Sequence, residues 1–256
     1  MGEKRIVLVT GSKQGIGYAI AEAFAQNGDQ PIIVDLELEE AKKSANILAE
    51  KYDIKPIAYV ADVSSHESVQ KLVENVINEF GQIDILVNNA GLQHIDPVEN
   101  FPIEKWDILI NVMLKGPFLL TKYVVPHMKK RQYGRIINIS SVHGKTASPY
   151  KSAYVSAKHG VVGLTRTVAI EVANDNITVN AVMPGAVKTL LVENQLKKLA
   201  EEDGISEEEA LHKHLLHKQA LKRFIKAEEV AATCVYLASK GASSITGETI
   251  SVSGGW

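Results

Sequence analysis

The chain has 256 residues, of which 45% are hydrophobic and 23% are charged, and its formal net charge is −2. This composition is typical of a globular protein, and the length suits either one large α/β domain or two small ones. The small negative charge gives no support for a nucleic acid or an anionic membrane surface as a partner, so we expect neither.

The single cysteine and the N-terminal residues bear on the compartment. Cys234 cannot form an internal disulfide, and it lies in an apolar helical pattern that favours a buried structural thiol over a nucleophile. The apolar run after Arg5 stops at Gly11, so it is too short for a signal peptide. No segment approaches the length and apolarity of a membrane span. We therefore expect a cytoplasmic protein.

A short apolar run leads into a glycine-rich turn. Residues 6–9 have the continuous apolar character of a strand buried on both faces. The turn contains Gly11, Gly15, Ile16 and Gly17, and its glycines let the backbone bend tightly and approach a ligand closely. A helical pattern follows, whose N-terminus suits a pyrophosphate. The spacing is neither the common dinucleotide fingerprint nor the P-loop pattern, so a purely structural turn remains an alternative.

The next strand-like run predicts which cofactor the chain uses. It ends in Asp35, 18 residues after Gly17. A carboxylate near that offset accepts hydrogen bonds from the adenosine ribose and repels a 2′-phosphate. Leu36 follows, where a phosphate site favours a basic residue. Both features predict NAD rather than NADP. Lys13 in the glycine-rich turn is the one charge that does not fit the prediction of NAD. Its ammonium either binds the pyrophosphate or is solvated.

Two further strands end in polar or small residues. Asp62-Val63 follows the apolar run 57–61, and the carboxylate of Asp62 either meets the adenine amino group or caps the helix predicted over residues 65–80. The run 83–87 ends in Asn88-Asn89-Ala90-Gly91, which fits a crevice beside a cofactor. Because short apolar strands alternate with helices, the sequence predicts an α/β fold: a doubly wound parallel sheet of about seven strands with helices on both faces. Ligands bind such a sheet outside the carboxyl ends of its strands.

A proton-transfer group is predicted after the run 135–140. Ser141 ends that run, and Tyr154 and Lys158 lie four residues apart, on one face of a predicted helix. A tyrosine hydroxyl has a reference pKa near ~10, and a nearby ammonium favours the phenolate and lowers that pKa. A serine hydroxyl aimed at the same point holds a carbonyl or alcohol oxygen. The pair alone is weak evidence, because many helices carry Tyr and Lys at this spacing.

Together the motifs resemble those of the short-chain dehydrogenase/reductase family over essentially the whole chain. The matching sequences are Thr10-Gly11-x-x-x-Gly15-Ile16-Gly17, Asp62-Val63, Asn88-Asn89-Ala90-Gly91, Asn111, Ser141 with Tyr154-x-x-x-Lys158, and Pro184-Gly185 followed by Thr189. The resemblance implies a single Rossmann-fold domain over residues 1–256 that transfers hydride to or from nicotinamide. It implies four catalytic residues: Tyr154 as general acid/base, Lys158, which lowers the tyrosine pKa and holds the nicotinamide ribose, Ser141 on the reacting oxygen, and Asn111 on a water-mediated proton path.

The same resemblance implies an NAD site and a group of substrate ligands. The NAD site comprises Gly11, Lys13, Gly15, Ile16, Gly17, Asp35, Asp62, Val63, Asn89, Ala90, Gly91, Tyr154, Lys158, Pro184, Gly185, Val187 and Thr189. The sequences Gln93-His94-Ile95, Ser141-Val142-His143-Gly144, Lys151-Ser152-Ala153-Tyr154, Leu191-Val192-Glu193-Asn194-Gln195 and Gly254-Gly255-Trp256 also resemble those of D-3-hydroxybutyrate dehydrogenases, which bind a small hydroxy or oxo carboxylate. The implied substrate ligands are Gln93, Ser141, His143, Lys151, Tyr154, Gln195 and the closing residue Trp256.

Each of these substrate assignments has a plainer alternative. Lys151 is otherwise a solvated loop lysine, His143 a structural loop donor, and Gln195 a helix-surface residue. Trp256 is otherwise packed in a subunit interface. Ala186 also departs from the tryptophan common after Pro-Gly in those dehydrogenases, which removes an apolar wall and admits a longer acyl chain.

The charged segment 188–224 contains His212, His214 and His217 but no acidic set with ligand geometry, so we expect a solvated helical lid and no metal. Apolar residues on more than one face of the helices near 104–130 and 152–173 suggest subunit contact. The family is usually tetrameric, so the resemblance implies a homotetramer.

The residues leave three functional hypotheses. The first is an NAD-dependent enzyme that interconverts D-3-hydroxybutyrate and acetoacetate. The second is another short-chain dehydrogenase/reductase that acts on a 3-oxoacyl carrier, a sugar or a polyol. The third is a non-catalytic nicotinamide-binding protein, which the intact catalytic set disfavours.

Overall fold

The computed structural model describes residues 4–256, apart from the side chains of Leu190, Leu191, Gln195, Lys198 and Glu202. A parallel seven-stranded sheet organises the chain, with strands in the order β3-β2-β1-β4-β5-β6-β7. The strands are β1 Ile6–Thr10, β2 Gln30–Asp35, β3 Ala58–Val60, β4 Ile85–Asn88, β5 Gly134–Ile139, β6 Ile177–Pro184 and β7 Thr249–Val252.

Nine α-helices are described in this part of the chain. They are α1 Gly15–Gln26, α2 Leu38–Lys51, α3 His66–Phe80, α4 Ile103–Ile110, α5 Gly116–Arg131, α6 Ser152–Val172, α7 Leu190–Asp203, α8 Glu207–Ala210 and α9 Ala227–Leu237. Helices α3, α5 and α6 pack on one face of the sheet, and α1, α2 and α9 pack on the other. This arrangement confirms the predicted doubly wound Rossmann-like fold.

The strand order places one crevice at the centre of the sheet. Strand β1 pairs with β2 on one side and with β4 on the other, so the chain changes direction across the sheet beside β1. All five residues of β1 are buried, as expected for a strand covered on both faces. Because the loops that follow β1 and β4 leave the sheet on opposite faces, they open a crevice between them, where ligands of such folds bind.

Residues at both ends of helix α3 cap it, and the N-cap bears on one of the two roles predicted for Asp62. The N-cap is Ser65, whose side chain accepts a hydrogen bond from the backbone N–H of Ser68, and the helix ends at Gly81 with φ of +72°. The helix-cap alternative for Asp62 is therefore wrong. Instead the Asp62 carboxylate accepts hydrogen bonds from the backbone N–H of Ser64 at 2.9 Å and from its hydroxyl at 2.7 Å.

Helices α4 and α5 form one continuous helical run with a wider turn inside it. Residues Asn111–Lys115 form a π-helical turn that joins the two helices. The run Ile103–Arg131 is long and apolar enough to span a membrane, with a mean hydropathy of 1.5 over its best window, so the expectation that no segment approaches such a span is wrong. A core helix passes the same test, and 44% of that window is buried inside the fold. The run therefore carries little weight as a membrane segment.

The segment between β6 and α9 forms a small layer of its own. It contains α7, α8 and a second π turn, Leu211–Leu216. Its buried apolar side chains make a separate cluster that consists of Ala186, Leu196, Ala200, Ala210, Leu215 and Leu216. Hereafter residues 188–224 are called the lid, and this cluster is called the lid core.

The apolar character of α6 has two explanations. Val161, Val162, Val168 and Val172 are buried within this one chain, so the sheet accounts for most of the apolar surface that suggested a subunit contact. Ile170 on the same helix is 81% exposed. Other large apolar side chains exposed on α4 and α5 are Ile103, Ile108 and Phe118. The tetramer stays a prediction.

Cys234 lies fully buried in α9, within the core between that helix and the sheet. Burial raises the pKa of its thiol, because the thiolate is disfavoured in an apolar surrounding. Both observations fit the structural thiol that the apolar pattern predicts.

Candidate active site

A cleft of about 800 Å³ opens at the carboxyl ends of the strands, where the fold predicts a ligand. Its lining includes most of the residues assigned to the cofactor site from sequence: Gly11, Lys13, Gly15, Ile16, Asp35, Asp62, Val63, Asn89, Ala90, Gly91, Tyr154, Lys158, Pro184, Gly185, Val187 and Thr189. Ser141 also lines the cleft. The fold thus brings residues from widely separated segments to one place.

Two glycines of the glycine-rich turn leave no room for a side chain. A Cβ atom on Gly17 would lie 2.3 Å from the carbonyl oxygen of Gly11, and one on Gly11 would lie 2.8 Å from the Cα of Ala90. Gly11 and Gly15 both have φ of +61°, a conformation that glycine adopts without strain. No side chain caps the N-terminus of α1. A bare turn beside an uncapped helix N-terminus fits a pyrophosphate.

Hydrogen bonds from the end of β4 hold this turn in place. The Asn89 amide group donates to the carbonyl oxygens of Thr10 and Gly11 at 3.0 and 2.9 Å. The Thr10 hydroxyl oxygen accepts from the backbone N–H groups of Asn89 and Ala90 at 3.1 and 3.2 Å. Asn89 therefore acts on the cleft through the backbone of the turn, and Gly17 shapes the turn without lining the cleft.

Charged side chains surround the end of β2, at the part of the cleft where the sequence predicts the adenosine of the cofactor. The Asp35 carboxylate accepts from the backbone N–H of Lys13 at 3.3 Å and from that of Leu36 at 2.9 Å. The Lys13 ammonium lies 2.6 Å from the carboxylate of Glu37. Glu37 lines the cleft and is absent from the sequence-based assignment, although an acidic residue two positions after Asp35 was the available signal.

The loop after β5 positions Ser141 and the α6 pair. Ser141 caps a short 3₁₀ turn, Val142–Gly144, and its hydroxyl accepts from the backbone N–H of His143 at 3.2 Å. Lys158 is 5% exposed, and its ammonium donates to the carbonyl oxygen of Ile139 at 2.8 Å. The same ammonium lies 5.6 Å from the centre of the Tyr154 ring. Sequence and structure thus agree that these side chains share one wall of the cleft.

Burial shifts the pKa values in this wall. Burial raises the pKa of Tyr154, and the hydrogen bond with the Ser141 side chain opposes that shift without reversing it. Burial lowers the pKa of Lys158 to about 8. The ammonium of Lys158 donates to the carbonyl of Ile139 in this structure, so its expected lowering of the tyrosine pKa stays a prediction. Sequence patterns do not show the cost of burying the phenolate.

Asn111 starts the π turn between α4 and α5. Its neighbour Val112 lines the cleft, whereas Asn111 does not, and among the described residues no hydrogen bond links its side chain to Ser141, Tyr154 or Lys158. π turns are frequent at functional sites, but the assigned proton path through Asn111 remains a prediction.

His143 and Trp256 form the far side of this wall. The His143 ring is 9% exposed and makes edge-to-face contacts with the rings of Tyr154, 6.1 Å away, and Trp256, 5.7 Å away. Burial and the charge of Lys151 lower the pKa of His143 to about 4, so the imidazole is neutral near pH 7. Trp256 of the same chain therefore reaches the wall that carries Tyr154.

Lys151 directly precedes α6, and burial lowers its pKa to about 8. Among the described side chains, no carboxylate pairs with its ammonium. The residue is partly buried, so the choice between a substrate ligand and a solvated loop lysine stays a prediction. Buried polar atoms without a hydrogen-bond partner in the described part of the chain include Gln93 Oε1, His143 Nδ1 and Ser152 Oγ. Ser152 could not be found from the sequence, since an ordinary serine at a helix start gives no signal.

A backbone hydrogen bond joins the two loops that carry these groups. The N–H of Asp96 donates to the carbonyl oxygen of Tyr150 at 2.9 Å. Tyr150 has φ of +64°, which is strained for a residue with a side chain. The loop of Gln93 and the loop of Lys151 are thereby held next to each other.

The lid contributes the remaining assigned residues. Thr189 caps α7 by accepting from the N–H of Val192 at 3.3 Å. Gln195 lies in α7, but its side chain is outside the described part of the structure. Ala186 packs into the lid core and does not line the cleft, so the wider substrate wall expected there is not observed.

A buried glutamine connects the lid to the C-terminal residues. Gln219 is fully buried, and its amide group donates to the carbonyl oxygens of Leu221 and Arg223 at 2.6 and 2.5 Å. Its side-chain oxygen lies 3.0 Å from the position of a Cβ on Gly185, and the N–H of Leu221 donates to Gly254 at 2.8 Å. The end of the lid, the end of β6 and the residues before Trp256 therefore meet at Gln219.

The lid histidines do not cluster. His214 contacts the carboxylate of Asp203 at 2.5 Å, and Lys213 contacts the same carboxylate at 2.8 Å. Among the residues whose side chains are described, no group of three or more His, Cys, Asp or Glu has the arrangement of a metal site.

Several known proteins match this chain over nearly its whole length. A family model described as "Enoyl-(Acyl carrier protein) reductase" matches residues 11–256. An uncharacterised oxidoreductase of Bacillus subtilis, YxjF, is 44% identical over 99% of this chain and 98% of its own. A D-beta-hydroxybutyrate dehydrogenase of Rhizobium meliloti is 42% identical over 98% of both chains. A 3-oxoacyl-[acyl-carrier-protein] reductase, FabG, of Thermotoga maritima is 39% identical over 99% of this chain and 98% of its own.

Among solved structures, levodione reductase superimposes with a TM-score of 0.92 at 34% sequence identity. The match covers 98% of this chain and 96% of that chain. The fold and the order of its motifs therefore extend over the whole length of known oxidoreductases.

Proposed function

Because the chain belongs to the short-chain dehydrogenase/reductase family, whose fold implies a nicotinamide dinucleotide cofactor, we propose that it is an NAD-dependent dehydrogenase of D-3-hydroxybutyrate. It interconverts this hydroxy acid with acetoacetate. The observation that carries the proposal is the partly buried ammonium of Lys151, which lies in a loop held next to that of Gln93 and has no carboxylate partner among the described side chains. A substrate carboxylate supplies that partner.

The cofactor half of the cleft accepts NAD in this proposal. The bare glycine turn and the uncapped α1 hold the pyrophosphate, and Asp35 accepts hydrogen bonds from the adenosine ribose. Pro184, Gly185, Val187 and Thr189 border the nicotinamide, and Lys158 holds its ribose. When bound, the cofactor accepts a hydride from the alcohol carbon or returns one to the ketone.

The chain's own side chains move the proton. Tyr154 removes the proton of the substrate hydroxyl during oxidation and returns it during reduction, while the Ser141 hydroxyl holds the same oxygen. Burial raises the pKa of Tyr154, so the phenolate needs a cation close to it. The buried ammonium of Lys158 lies 5.6 Å from the ring centre. We propose that it supplies this charge once it turns from the carbonyl of Ile139.

The substrate half selects the acid. Lys151 pairs with the carboxylate, and the amide of Gln93, the neutral imidazole of His143 and the side chain of Gln195 donate hydrogen bonds. Trp256 covers His143 and closes the pocket. The lid, residues 188–224, closes over both ligands and excludes water within one catalytic domain that spans the chain.

Replacing Tyr154 with Phe tests the proton transfer. We expect turnover to fall by about 10³-fold or more while NAD binding persists, since only the hydroxyl is lost. Tyr236→Phe is the matched control, because Tyr236 is 53% exposed on α9 and remote from the cleft wall. Retained activity in Tyr154→Phe would exclude the acid/base assignment.

A substrate panel tests the acid. NADH absorbance is measured with D- and L-3-hydroxybutyrate, longer 3-hydroxy acids, polyols and neutral secondary alcohols, each with NAD and NADP. We expect the highest kcat/KM for D-3-hydroxybutyrate with NAD. Equal rates with a neutral alcohol of the same size would show that the carboxylate is not recognised.

A second candidate is reduction of a 3-oxoacyl chain on an acyl carrier protein. The descriptions of the family model and of the Thermotoga maritima relative favour this reaction. Such a carrier substrate has no free carboxylate at the acyl end, so Lys151 would remain unpaired. Turnover of acetoacetyl carrier with NADPH above that of acetoacetate with NADH would establish this alternative.

We also propose a homotetramer, in line with the family resemblance. The exposed apolar side chains Ile103, Ile108 and Phe118 on α4 and α5 support contacts between copies. Sedimentation at several protein concentrations measures the assembly directly.

A further inference from the structure

Three charged side chains contact one another at the adenosine end of the cleft. The Lys13 ammonium lies 2.6 Å from the carboxylate of Glu37 and 3.6 Å from that of Asp35. They come from the glycine-rich turn, the end of β2 and the residue that precedes α2, and all three line the cleft. Two carboxylates thus surround one ammonium, which leaves one negative charge in excess.

Lys13 and Asp35 are fixed, whereas Glu37 reaches in from solvent. The backbone N–H groups of Lys13 and Leu36 hold the Asp35 carboxylate, and the Ser44 hydroxyl donates to the carbonyl oxygen of Lys13 at 2.6 Å. The side chains of Lys13 and Asp35 are 18% and 13% exposed, whereas that of Glu37 is 65% exposed. The position of the ammonium is therefore set by the fold, and Glu37 is its most accessible partner.

Glu37 decides the charge balance of this group. Without Glu37, the ammonium of Lys13 would offset the charge of Asp35 and would present hydrogen-bond donors beside the ribose site. With Glu37, the ammonium of Lys13 already has a close carboxylate partner, and the hydrogen bond to Glu37 raises the pKa of Lys13. NADP differs from NAD by a phosphate on the adenosine 2′ oxygen, which needs such donors and avoids carboxylates.

We propose that Glu37 determines the choice between NAD and NADP by occupying the Lys13 ammonium. The inference rests on the proposed NAD preference and extends it. The charge of Asp35 alone is insufficient to exclude the 2′-phosphate of NADP, because the Lys13 ammonium 3.6 Å away partly compensates that charge. Glu37 supplies the excess negative charge and removes the one cation in the described lining near Asp35 that a 2′-phosphate would use.

The test is a double-mutant cycle on Glu37→Gln and Lys13→Met, read as the dissociation constants of NADH and NADPH by fluorescence titration without substrate. We expect the ratio of the NADPH constant to the NADH constant to fall about tenfold in Glu37→Gln, a size typical of one charge-assisted contact in a partly exposed site. In the double variant most of that fall is lost, because the freed ammonium is gone.

Glu39→Gln is the matched control. Glu39 lies in the first turn of α2, pairs with Lys42 at 2.9 Å and does not line the cleft. It makes the same charge change in a similar ion pair, so its ratio should match that of the unaltered protein. A change equal to that of Glu37→Gln would overturn the proposal, since overall charge would then explain the effect.

Three further outcomes decide the inference. An unchanged ratio in Glu37→Gln overturns it, and so does a fall that persists fully in the double variant, which would indicate direct repulsion without Lys13. A fall that shrinks as ionic strength rises from about 0.05 to 0.5 M supports it, because the contact is electrostatic. A protein that binds NADPH more tightly before any substitution would refute the proposed NAD preference, whereas the cycle would still measure the coupling between Glu37 and Lys13.

Discussion

The two halves of the cleft are shaped by different parts of the chain. Beside β1, the backbone forms the surface: Gly11 and Gly17 leave no room for a Cβ, and Asn89 holds the turn through its carbonyl oxygens. Beside the loop after β5, side chains form the surface, namely Ser141, Tyr154 and Lys158, with His143 packed against Tyr154 and the partly buried Lys151 in the same loop. In the proposed function the first half holds the cofactor and the second selects the substrate, so substitutions in one half are expected to leave binding in the other unchanged.

Among variants that separate the two halves, the largest expected effect on binding comes from adding one methyl group to the backbone-formed half. Gly17→Ala places a Cβ 2.3 Å from the carbonyl oxygen of Gly11, and neither backbone segment is free to move. We expect the dissociation constant of the cofactor to rise about 100-fold or more, with a loss of thermal stability, since overpacking commonly costs about 1–3 kcal/mol. Cofactor titration and thermal unfolding measure both.

Gly163→Ala is the control for that substitution. Gly163 lies within α6, and no heavy atom lies within 4 Å of a Cβ built there. Alanine favours a helix over glycine by about 1 kcal/mol, so this variant should be as stable or more stable and should bind cofactor normally. Normal cofactor binding by Gly17→Ala itself would mean that the turn is not a close-fitting surface.

Lys151→Met removes the proposed carboxylate ligand from the half of the cleft that side chains form. Removing the ammonium should raise the KM for D-3-hydroxybutyrate by about 10- to 100-fold, because a charge-assisted hydrogen bond contributes about 1.5–3 kcal/mol. The KM for a neutral secondary alcohol should change little. Lys145→Met is the control, since Lys145 lies in the same loop but is exposed and bonds the Ser251 hydroxyl at 2.9 Å. Equal losses for acid and alcohol would refute the carboxylate contact.

The comparison predicts a pH dependence of KM that is specific to the acid substrate. Lys151 must be protonated to pair with a carboxylate, and burial lowers its pKa to about 8. The KM for the acid should therefore be constant below that pH and rise up to about tenfold per pH unit above it. In Lys151→Met the rise should vanish. Lys158 also has a pKa of about 8, so its deprotonation should appear in kcat for neutral alcohols as well, which separates the two lysines.

The smallest expected effect lies where the lid joins the rest of the molecule. Gln219→Leu keeps the volume of the side chain but removes the donors to the carbonyl oxygens of Leu221 and Arg223. The two carbonyls then lose their side-chain donor, and because they are only part-buried we expect a few-fold rise in substrate KM with faster proteolysis of the lid. Gln70→Leu on exposed α3 is the control. If both variants are cleaved at the same rate, Gln219 does not position the lid.

The sequence predicted the fold well where burial is complete. Every residue of β1 is buried, so its apolar run marked the strand to within one residue. The edge strand β7 left no such pattern, because three of its four residues are partly exposed and one is fully exposed. The inner structure of the lid was equally hidden, since its core joins Ala186 to residues about thirty positions later.

The site was predicted where spacing alone determines it. Tyr154 and Lys158 share a helix face at any location, so their proximity followed from the sequence. The pKa of Tyr154 did not, because it depends on how deeply the ring is buried. Glu37, Ser152 and Gln219 went unnoticed, since each owes its position to contacts with distant segments.

The π turn Asn111–Lys115 has a consequence for how one helix serves two cores. A π turn holds one more residue than an α turn, so it rotates the second half of the helix by about 100° relative to the first half. Before and within it, Leu109 and Met113 pack with Ala153 and Ala157 of α6, beside Tyr154. After it, α5 packs into the core of the sheet. Deleting a single residue from this turn would produce a more regular helix whose two halves no longer face their separate neighbours. The π turn therefore lets α4 face the wall of Tyr154 while α5 faces the sheet.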